Sequence, residues 1–572
     1  MRLDLSGNDP ACRVVAANVM ESVAEEIRRP YVALIDSLGT VAGADMDWWV
    51  TALASRNTYA CPLHRRLCHL VLARRLIHAG QVDEVVVDSP ALAAAIARTS
   101  GKAVPVAGGR LRGRFVRWMG LLRRYAGALF HVANQWAFSR LLLPPSPRPP
   151  AESVVLVDTF FYAETVADGE IHDRHYPGML DRLDAAERGR VFFAPSYYRI
   201  RNYPRFYRQL RRVRGRVILR EDVLCFADYL FALLHPFRLR RPRGSIEFLG
   251  MDVGPLVREA LAESCAGSGS IEGLLRYRFA QRLQEKGYRL QRVVEWFENQ
   301  EIDHGANAGW RRFFPDTPVI GYQGFFASRH YLCMFPLTRE AHLRLLPNRV
   351  AVMGPGLVEA AREFCPELEV ETAPAFRFEA VWRERADEPD PGWFTVLVSL
   401  PILAEECRSI LAMVRQLADE GQPGRCRRFV IKSHPAWSRE DLAAVLGELP
   451  AGCSVVHADF ATLLDRADAL VSTASSTCVH AIARGIPVAV LGRPGTLLQN
   501  PIPAFADHSL WTACYTAADL CAALDRYADG DRSEVQRRRR IGQDFSERVF
   551  VPVTRQSVRR FLGFDEVELA TA

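Results

Sequence analysis

An apolar run with the look of a strand, "RRFVIK" (427 to 432), ends at Lys432, and His434 and Pro435 follow almost at once. Lysine is rare here, three among the 73 basic residues. Its ammonium is a compact point charge suited to a phosphate oxygen. A proline directly after a histidine fixes the backbone there, so the imidazole and nearby amides keep one direction. A second cluster lies in "DALVSTASSTCVHAIARG" (468 to 485), where Ser472, Thr473, Ser475, Ser476 and Thr477 stand between an apolar run and a helix-like segment. One hydroxyl suffices to cap a helix, and the others exceed that need. Hydroxyls beside free backbone N–H groups at a helix start also suit an anionic phosphate. The bland alternatives are a turn at His434-Pro435 and simple capping at the serines.

Carboxylates gather in two further stretches. Glu298 follows "QRVVEWF" (291 to 297) and precedes a helix-like segment; Asp158 closes "SVVLVD" (153 to 158) and opens a region dense in Glu164, Asp168, Glu170, His172, Asp173, Arg174 and His175. A carboxylate at a strand end suits proton transfer or substrate binding. It equally suits a helix start, and polar loops collect charge without function. Asp45-Met46-Asp47 leads into a helix-like segment instead of closing a strand, and the 13 cysteines are scattered without C-x-x-C pairs. No metal and no cofactor is therefore expected.

These residues need elements to hold them. Apolar runs of strand length, each followed by a helix-like segment, occur at 82 to 97, 153 to 165, 190 to 199, 292 to 314, 394 to 414, 427 to 435, 467 to 485 and 486 to 492. Continuous Val/Ile/Leu runs with polar or small residues at their C-terminal ends are what a parallel sheet covered on both faces requires. The expected fold is α/β, with two Rossmann-like doubly wound domains facing a cleft. Ligands in such sheets bind at the C-terminal edge. The boundaries are read as 1–345 for the first domain, 346–545 for the second, and 546–572 for a terminal helix packing back on the first. A proline-rich connector, "LLLPPSPRPPAES" (141 to 153), interrupts the first domain.

Ahead of that connector, residues 110–143 put apolar side chains at helical spacing among Arg112, Arg114, Arg117, Arg123 and Arg124, with Trp118 and Trp136. This describes either an interfacial amphipathic helix or a core helix with a solvated arginine face. No run reaches the length of a membrane span, and the first residues lack the pattern of a secretory signal. The chain is expected in the cytosol, with membrane contact limited to that helix. The net charge of +7 comes with no basic stripe interleaved with stacking aromatics, so no nucleic-acid partner is expected.

Taken together, K-x-H-P and the later "ADALVS..SST....A...GIPV.VLG" resemble the donor half of bacterial GT-B glycosyltransferases of surface polysaccharides: polysialyltransferases, capsule Kdo transferases and CDP-glycerol transferases. The likeness covers roughly residues 390 to 500. It implies a nucleotide-activated sugar donor, CMP-linked in many of these families. It places Lys432, His434 and Pro435 at the donor phosphate and Ser475, Ser476 and Thr477 at phosphate or ribose. His480 stands where many relatives carry a glutamate. "EWFENQ…PVIGYQG" is similar to an E…P…GYQH element of such enzymes, with Gly324 in the place of the histidine, and Asp173-Arg174-His175-Tyr176-Pro177-Gly178 resembles a D-R-Y-x-P-G element. The resemblance implies an inverting, metal-independent transfer with Glu298 or Asp173 as base, and Asp158, Arg174, His175 and Gln323 at a glycan or lipid-linked acceptor. Transfer of a polyol phosphate from a CDP-linked donor, or a degenerate glycan-binding scaffold, would use the same donor motifs.

Overall fold

The run Val154–Phe161 is a strand with Val155 and Val157 buried against one layer and Val154 and Leu156 against another. Such two-sided burial requires helices on both faces. In the computed structural model of the chain, which describes residues 2–6, 17–101, 104–107, 110–145, 148–198, 200–265, 267–383, 392–419, 427–434, 437, 439–473, 475–493 and 496–565, this strand is an inner strand of a six-stranded sheet, paired on both sides. The strand order is Val370–Thr372, Arg349–Val352, Val319–Gln323, Leu290–Trp296, Val154–Phe161, Val191–Tyr197, and every pairing is parallel. A second six-stranded parallel sheet runs Cys453–Val455, Arg427–Lys432, Phe394–Ser399, Ala469–Ser472, Val488–Leu491, Trp511–Cys514. Numbered along the chain this order is 3-2-1-4-5-6, that of the dinucleotide-binding fold. The chain is thus α/β with two doubly wound domains.

The seam expected near residue 345 falls inside the first sheet, because Arg349–Val352 and Val370–Thr372 pair onto its edge. These edge strands have four and three residues, too short for their apolar pattern to reveal which sheet they join. The crossing comes after Thr372 and before Phe394. At the other end Val551 bridges to Pro374, and the helix Arg555–Leu562 lies on the first domain. There the Phe561 ring meets those of Tyr176, Tyr322 and Phe376, and Arg292 donates to the carbonyls of Arg560 and Phe561 at 3.2 and 3.0 Å.

The first hundred residues form a lobe of their own. Arg2–Asp4 pairs with Glu84–Val86, and the helices Ala17–Ala42, Leu63–His78 and Pro90–Ser100 share a core with Gly254–Ser264. Two helices of the first domain, Ser268–Glu285 and Glu301–Phe313, touch backbone to backbone. A Cβ on Gly305 would stand 2.0 Å from the carbonyl oxygen of Gly273, and one on Gly273 would stand 2.4 Å from that of Glu301. Glycine at both positions lets the helix starts converge on the sheet edge. Among the described residues no helix is long and apolar enough to cross a membrane.

Candidate functional site

Ligands in doubly wound sheets bind where the strand order reverses, outside the C-terminal edge. In the first sheet that point lies between Val154–Phe161 and Leu290–Trp296. A cavity of about 890 Å³ opens there, with Phe160 and Tyr162 from one strand end and Glu298 and Gln300 from the other. Ile402 and His434 of the second domain line the same cavity, which makes it the cleft between the two sheets.

Glu298 is half-buried, and both its carboxylate oxygens are directed. Trp296 Nε1 donates to Oε1 at 2.8 Å, while Gln300 Nε2 and the Tyr331 hydroxyl donate to Oε2 at 2.5 and 2.9 Å. The helix start behind Glu298 is capped by Asp303, which accepts from the amides of Glu298 and Gln300 at 3.1 and 2.8 Å. Glu298 is therefore not needed as the cap and is left to face the cavity.

His175 and Arg174 line the opposite wall. The His175 ring lies 4.4 Å from that of Trp296, centre to centre, and its Nδ1 is 3.4 Å from Asp173 Oδ1 and 3.3 Å from Thr159 Oγ1. Arg174 sits over the Tyr162 ring at 4.4 Å. Asp173 is buried and shapes the turn: its Oδ1 accepts from the amides of His175 and Tyr176 at 2.7 and 3.4 Å. It is not among the cavity-lining residues, and of this turn Arg174 and His175 reach the cavity.

A buried polar layer backs the cavity, and its members Ser196 and Glu272 reach the cavity wall. Asp158 pairs with Arg276, which also donates to Ser196, and Arg220 pairs with Glu272. Burial pushes the Asp158 carboxyl up to about 6 despite that guanidinium. Glu295 and Asp303 are pushed up well above the usual carboxylate range by burial, each carboxyl adding to the effect on others nearby. Asp158 and Gln323 do not reach the cavity. The Gln323 amide instead donates to the Met334 carbonyl at 3.0 Å.

A segment that sequence reasoning missed completes the wall: Asn57, Tyr59 and Ala60 of the first lobe. They are held by the neighbouring Arg56, fully buried and bidentate to the equally buried Glu340 at 2.7 and 3.2 Å. Asn299, adjacent to Glu298, donates to the same carboxylate at 3.0 Å, and His304 Nε2 lies 3.2 Å from it. Arg56 and Asn299 both hold positive φ, 57° and 55°. Asn57 and Glu301 carried no signal in the sequence, whereas the glycines of "GSIEG" and "GANAG" at four-residue spacing, not read above, are a signal from which the helix contact that brings Glu272 and Glu301 to the cavity could have been found.

On the second sheet, Lys432 ends its strand and its carbonyl accepts from the Leu400 amide at 2.9 Å. Pro435 lies outside the described residues. The Ser475 hydroxyl oxygen accepts from Thr477 Oγ1 at 2.8 Å, and Thr477 Oγ1 is 3.5 Å from Ser399 Oγ. Ser476 starts the helix Thr477–Ala483 without a capping bond from its side chain. These hydroxyls stand at the second sheet's own reversal, between Phe394–Ser399 and Ala469–Ser472, but do not line the 890 Å³ cavity. His480 stands apart from the cavity as well. It is buried between Phe460 and Phe378, ring centres 5.6 and 6.2 Å away, and burial holds it down to about 4, so it is neutral. Gly324 is fixed by packing, since a Cβ there would lie 2.3 Å from the Tyr322 ring and 2.4 Å from that of Trp296; a histidine has no room.

The structure thus brings Glu298, Arg174, His175 and His434 to one cavity, with the hydroxyl cluster and Lys432 at the edge of the second sheet. No protein-family model matches the chain, and no curated protein does. Among solved structures, it is similar to a UDP-GlcNAc 2-epimerase from Neisseria meningitidis bound to UDP-GlcNAc, at 11% identity and a TM-score of 0.37, covering 73% of this chain and 100% of that one. An α,α-trehalose 6-phosphate synthase from Burkholderia multivorans gives 12%, 0.40, 73% and 97%. The wall teichoic acid polymerase TagF, in a structure soaked with CDPG, gives 10%, 0.37, 80% and 99%. Scores this low add nothing to the strand order already described.

Proposed function

We propose that the chain is a glycosyltransferase that moves a sugar from a nucleotide-activated donor, CMP-linked on the motif resemblance, to a hydroxyl of a surface glycan or its lipid-linked precursor. One observation carries this: Glu298 from the first sheet and His434 from the second line a single cavity. In this reading the second domain holds the donor, with Lys432 and His434 at the phosphate and Ser475, Ser476 and Thr477 at phosphate or ribose. The acceptor lies against Arg174, Tyr162 and His175.

Glu298, oriented by Trp296, Gln300 and Tyr331, takes the proton as the acceptor hydroxyl attacks the anomeric carbon. The bond to the phosphate breaks on the opposite face, and the leaving charge is taken up by Lys432, His434 and the hydroxyls. Such a single displacement inverts the anomeric centre and requires no metal. His175 competes for the role of base, because its Nδ1 lies 3.4 Å from Asp173 Oδ1 and a carboxylate so placed steadies an imidazole as it gains a proton. Asp173 is then a positioning residue. The helix Arg110–Leu142 belongs at a membrane surface where such an acceptor is anchored.

The test is a thermal-shift panel of cytidine, uridine and guanosine nucleotides on the intact chain and on His434→Ala. A ligand that binds only the folded state raises its melting temperature. Stabilisation by one nucleotide class, lost in the variant at unchanged ligand-free stability, is expected. Stabilisation by none, or an equal shift in the variant, refutes the donor site.

A further inference from the structure

Two exposed apolar stripes lie on neighbouring helices of the first domain. On Arg110–Leu142, Met119, Leu122, Leu129, Phe130 and Trp136 recur at helical spacing and face outward, while Ala128, Gln135 and Ser139 are buried. On the helix pair Phe226–Leu233 and His235–Arg238 the outward stripe is Phe226, Leu230, Leu234 and Phe237, the two phenylalanines 80% and 79% exposed. The Tyr125 hydroxyl donates to the Leu233 carbonyl at 2.6 Å and ties the two stripes together.

Positive charge frames them. The chain leaves the second stripe through residues 238 to 244, which with Arg258 line a groove of about 1040 Å³. Arg238 is paired with Asp47 at 2.7 Å, but Arg240, Arg241 and Arg243 are exposed and pair with no carboxylate among the described residues. Arg123 and Arg124 are exposed beside the first stripe. The sequence has no Asp or Glu from 110 to 143, nor from 229 to 246.

We propose that this composite face, the helix pair Phe226–Arg238 with its arginine loop beside the outer stripe of Arg110–Leu142, docks on an anionic lipid bilayer. Phenylalanine, leucine and tryptophan enter the boundary between headgroups and acyl chains, and the arginines meet lipid phosphates. A second copy of this face would set arginine against arginine. A nucleic acid would engage the arginines and leave the two phenylalanines and Leu230 in water. Docking also has a structural route to the cleft: Gln135, on the buried side of the first helix, accepts from Arg220, which pairs with Glu272 in the cavity wall. The use of a lipid-linked acceptor rests on the proposed transferase reading, whereas bilayer binding does not.

The experiment is flotation of the full chain with phosphatidylcholine vesicles and with vesicles that also contain phosphatidylglycerol, at low and high salt. Binding to the anionic vesicles alone, weakened by salt, is expected. Each arginine near an anionic surface contributes about fivefold, so Arg240→Ala/Arg241→Ala/Arg243→Ala should lower the partition coefficient about a hundredfold. Phe226→Ser/Phe237→Ser should lower it by about tenfold or more through lost apolar burial. All five positions are exposed, and each variant serves if the other fails to fold. Equal binding by both variants, equal binding to neutral vesicles, binding to duplex RNA in place of vesicles, or self-association abolished by these substitutions overturns the proposal. Failure of the nucleotide panel leaves this test untouched, so the two failures are distinguishable.

Discussion

Removing either partner of the buried Arg56–Glu340 pair should unfold the wall of the cleft before it unfolds the sheets. Both side chains are fully buried, and the carboxylate takes two bonds from Arg56, one from Asn299 and one from the Leu337 amide at 2.8 Å. Burial alone would raise the Glu340 carboxyl, but Arg56 and His304 hold it from an ordinary 4.5 down to about 2. At neutral pH that depression contributes about 3 kcal/mol. Breaking a buried pair and stranding one charge costs about 3–5 kcal/mol by general experience, so the two estimates agree. Arg56→Met and Glu340→Gln should each lower stability by about 3 kcal/mol in urea unfolding. The double variant should lose clearly less than the sum, with a coupling of about 1.5 kcal/mol or more, because no charge is left unpaired. The pH dependence carries a sign. A depressed carboxyl gives its stability above the unfolded value and loses it as pH falls through the folded one, so the wild type should weaken between pH 4.5 and about 2 and Glu340→Gln should lack that component. Because Asn57 and Tyr59 follow Arg56 and Glu298 precedes Asn299, hydrogen exchange should rise first at 55–60 and 298–301. A Glu340→Gln variant within about 1 kcal/mol of wild type, or strictly additive losses, would refute the reasoning.

Three further outcomes are expected. Glu298→Gln keeps the side-chain shape but cannot take a proton, and its amide nitrogen cannot accept from one of the donors around it, so transfer should slow by about 10²–10⁴-fold with the melting temperature little changed; full activity in Glu298→Gln beside a comparable loss in His175→Gln would move the base to His175. Gly305→Ala, which in an ordinary helix interior stabilises by about 1 kcal/mol, should here cost about 2–3 kcal/mol, since the new methyl meets the Gly273 carbonyl at 2.0 Å; a rise in stability would sink the close-contact account. His480 is neutral when folded and protonates near its ordinary 6.5 when unfolded, so stability is full above pH 6.5 and falls as pH drops toward about 4. His480→Phe should remove about 3 kcal/mol of that acid loss, and an unchanged urea midpoint profile would count against it.

The two halves of the cleft differ in how far their sequence discloses them, and the cause is locality. A parallel strand buried on both faces must be written as an unbroken apolar run, so Phe394–Ser399, Arg427–Lys432 and Ala469–Ser472 are visible one by one, and the polar residues at their ends are brought to one edge by the strand order. Lys432, His434 and the serines therefore announce themselves within a few residues of their strands. Edge strands carry less information: Val370–Thr372 is half exposed and three residues long, which is why the seam was misread. The first-domain wall of the cavity is the opposite case. Asn57, Arg174, Glu272, Glu298 and Tyr331 come from five segments, and no single segment contains the pattern that unites them.

What unites those segments is packing that a sequence records only indirectly. Gly273 and Gly305 let two helices touch and bring Glu272 and Glu301 to the cavity; Gly324 makes room for Trp296, which holds Glu298 and meets His175. Gly324 and His480, the two positions that differ from the motifs the sequence resembles, are explained by similar contacts. Gly324 is closed over by Tyr322 and Trp296, whose indole orients the Glu298 carboxylate, and His480 is sunk between Phe460 and Phe378, the latter on the segment that crosses between the two sheets. Neither change removes a group from the cavity that Glu298, His175 and His434 share. The transfer proposed above needs only residues that face the cavity, so the packing at Gly324 and His480 does not count against it.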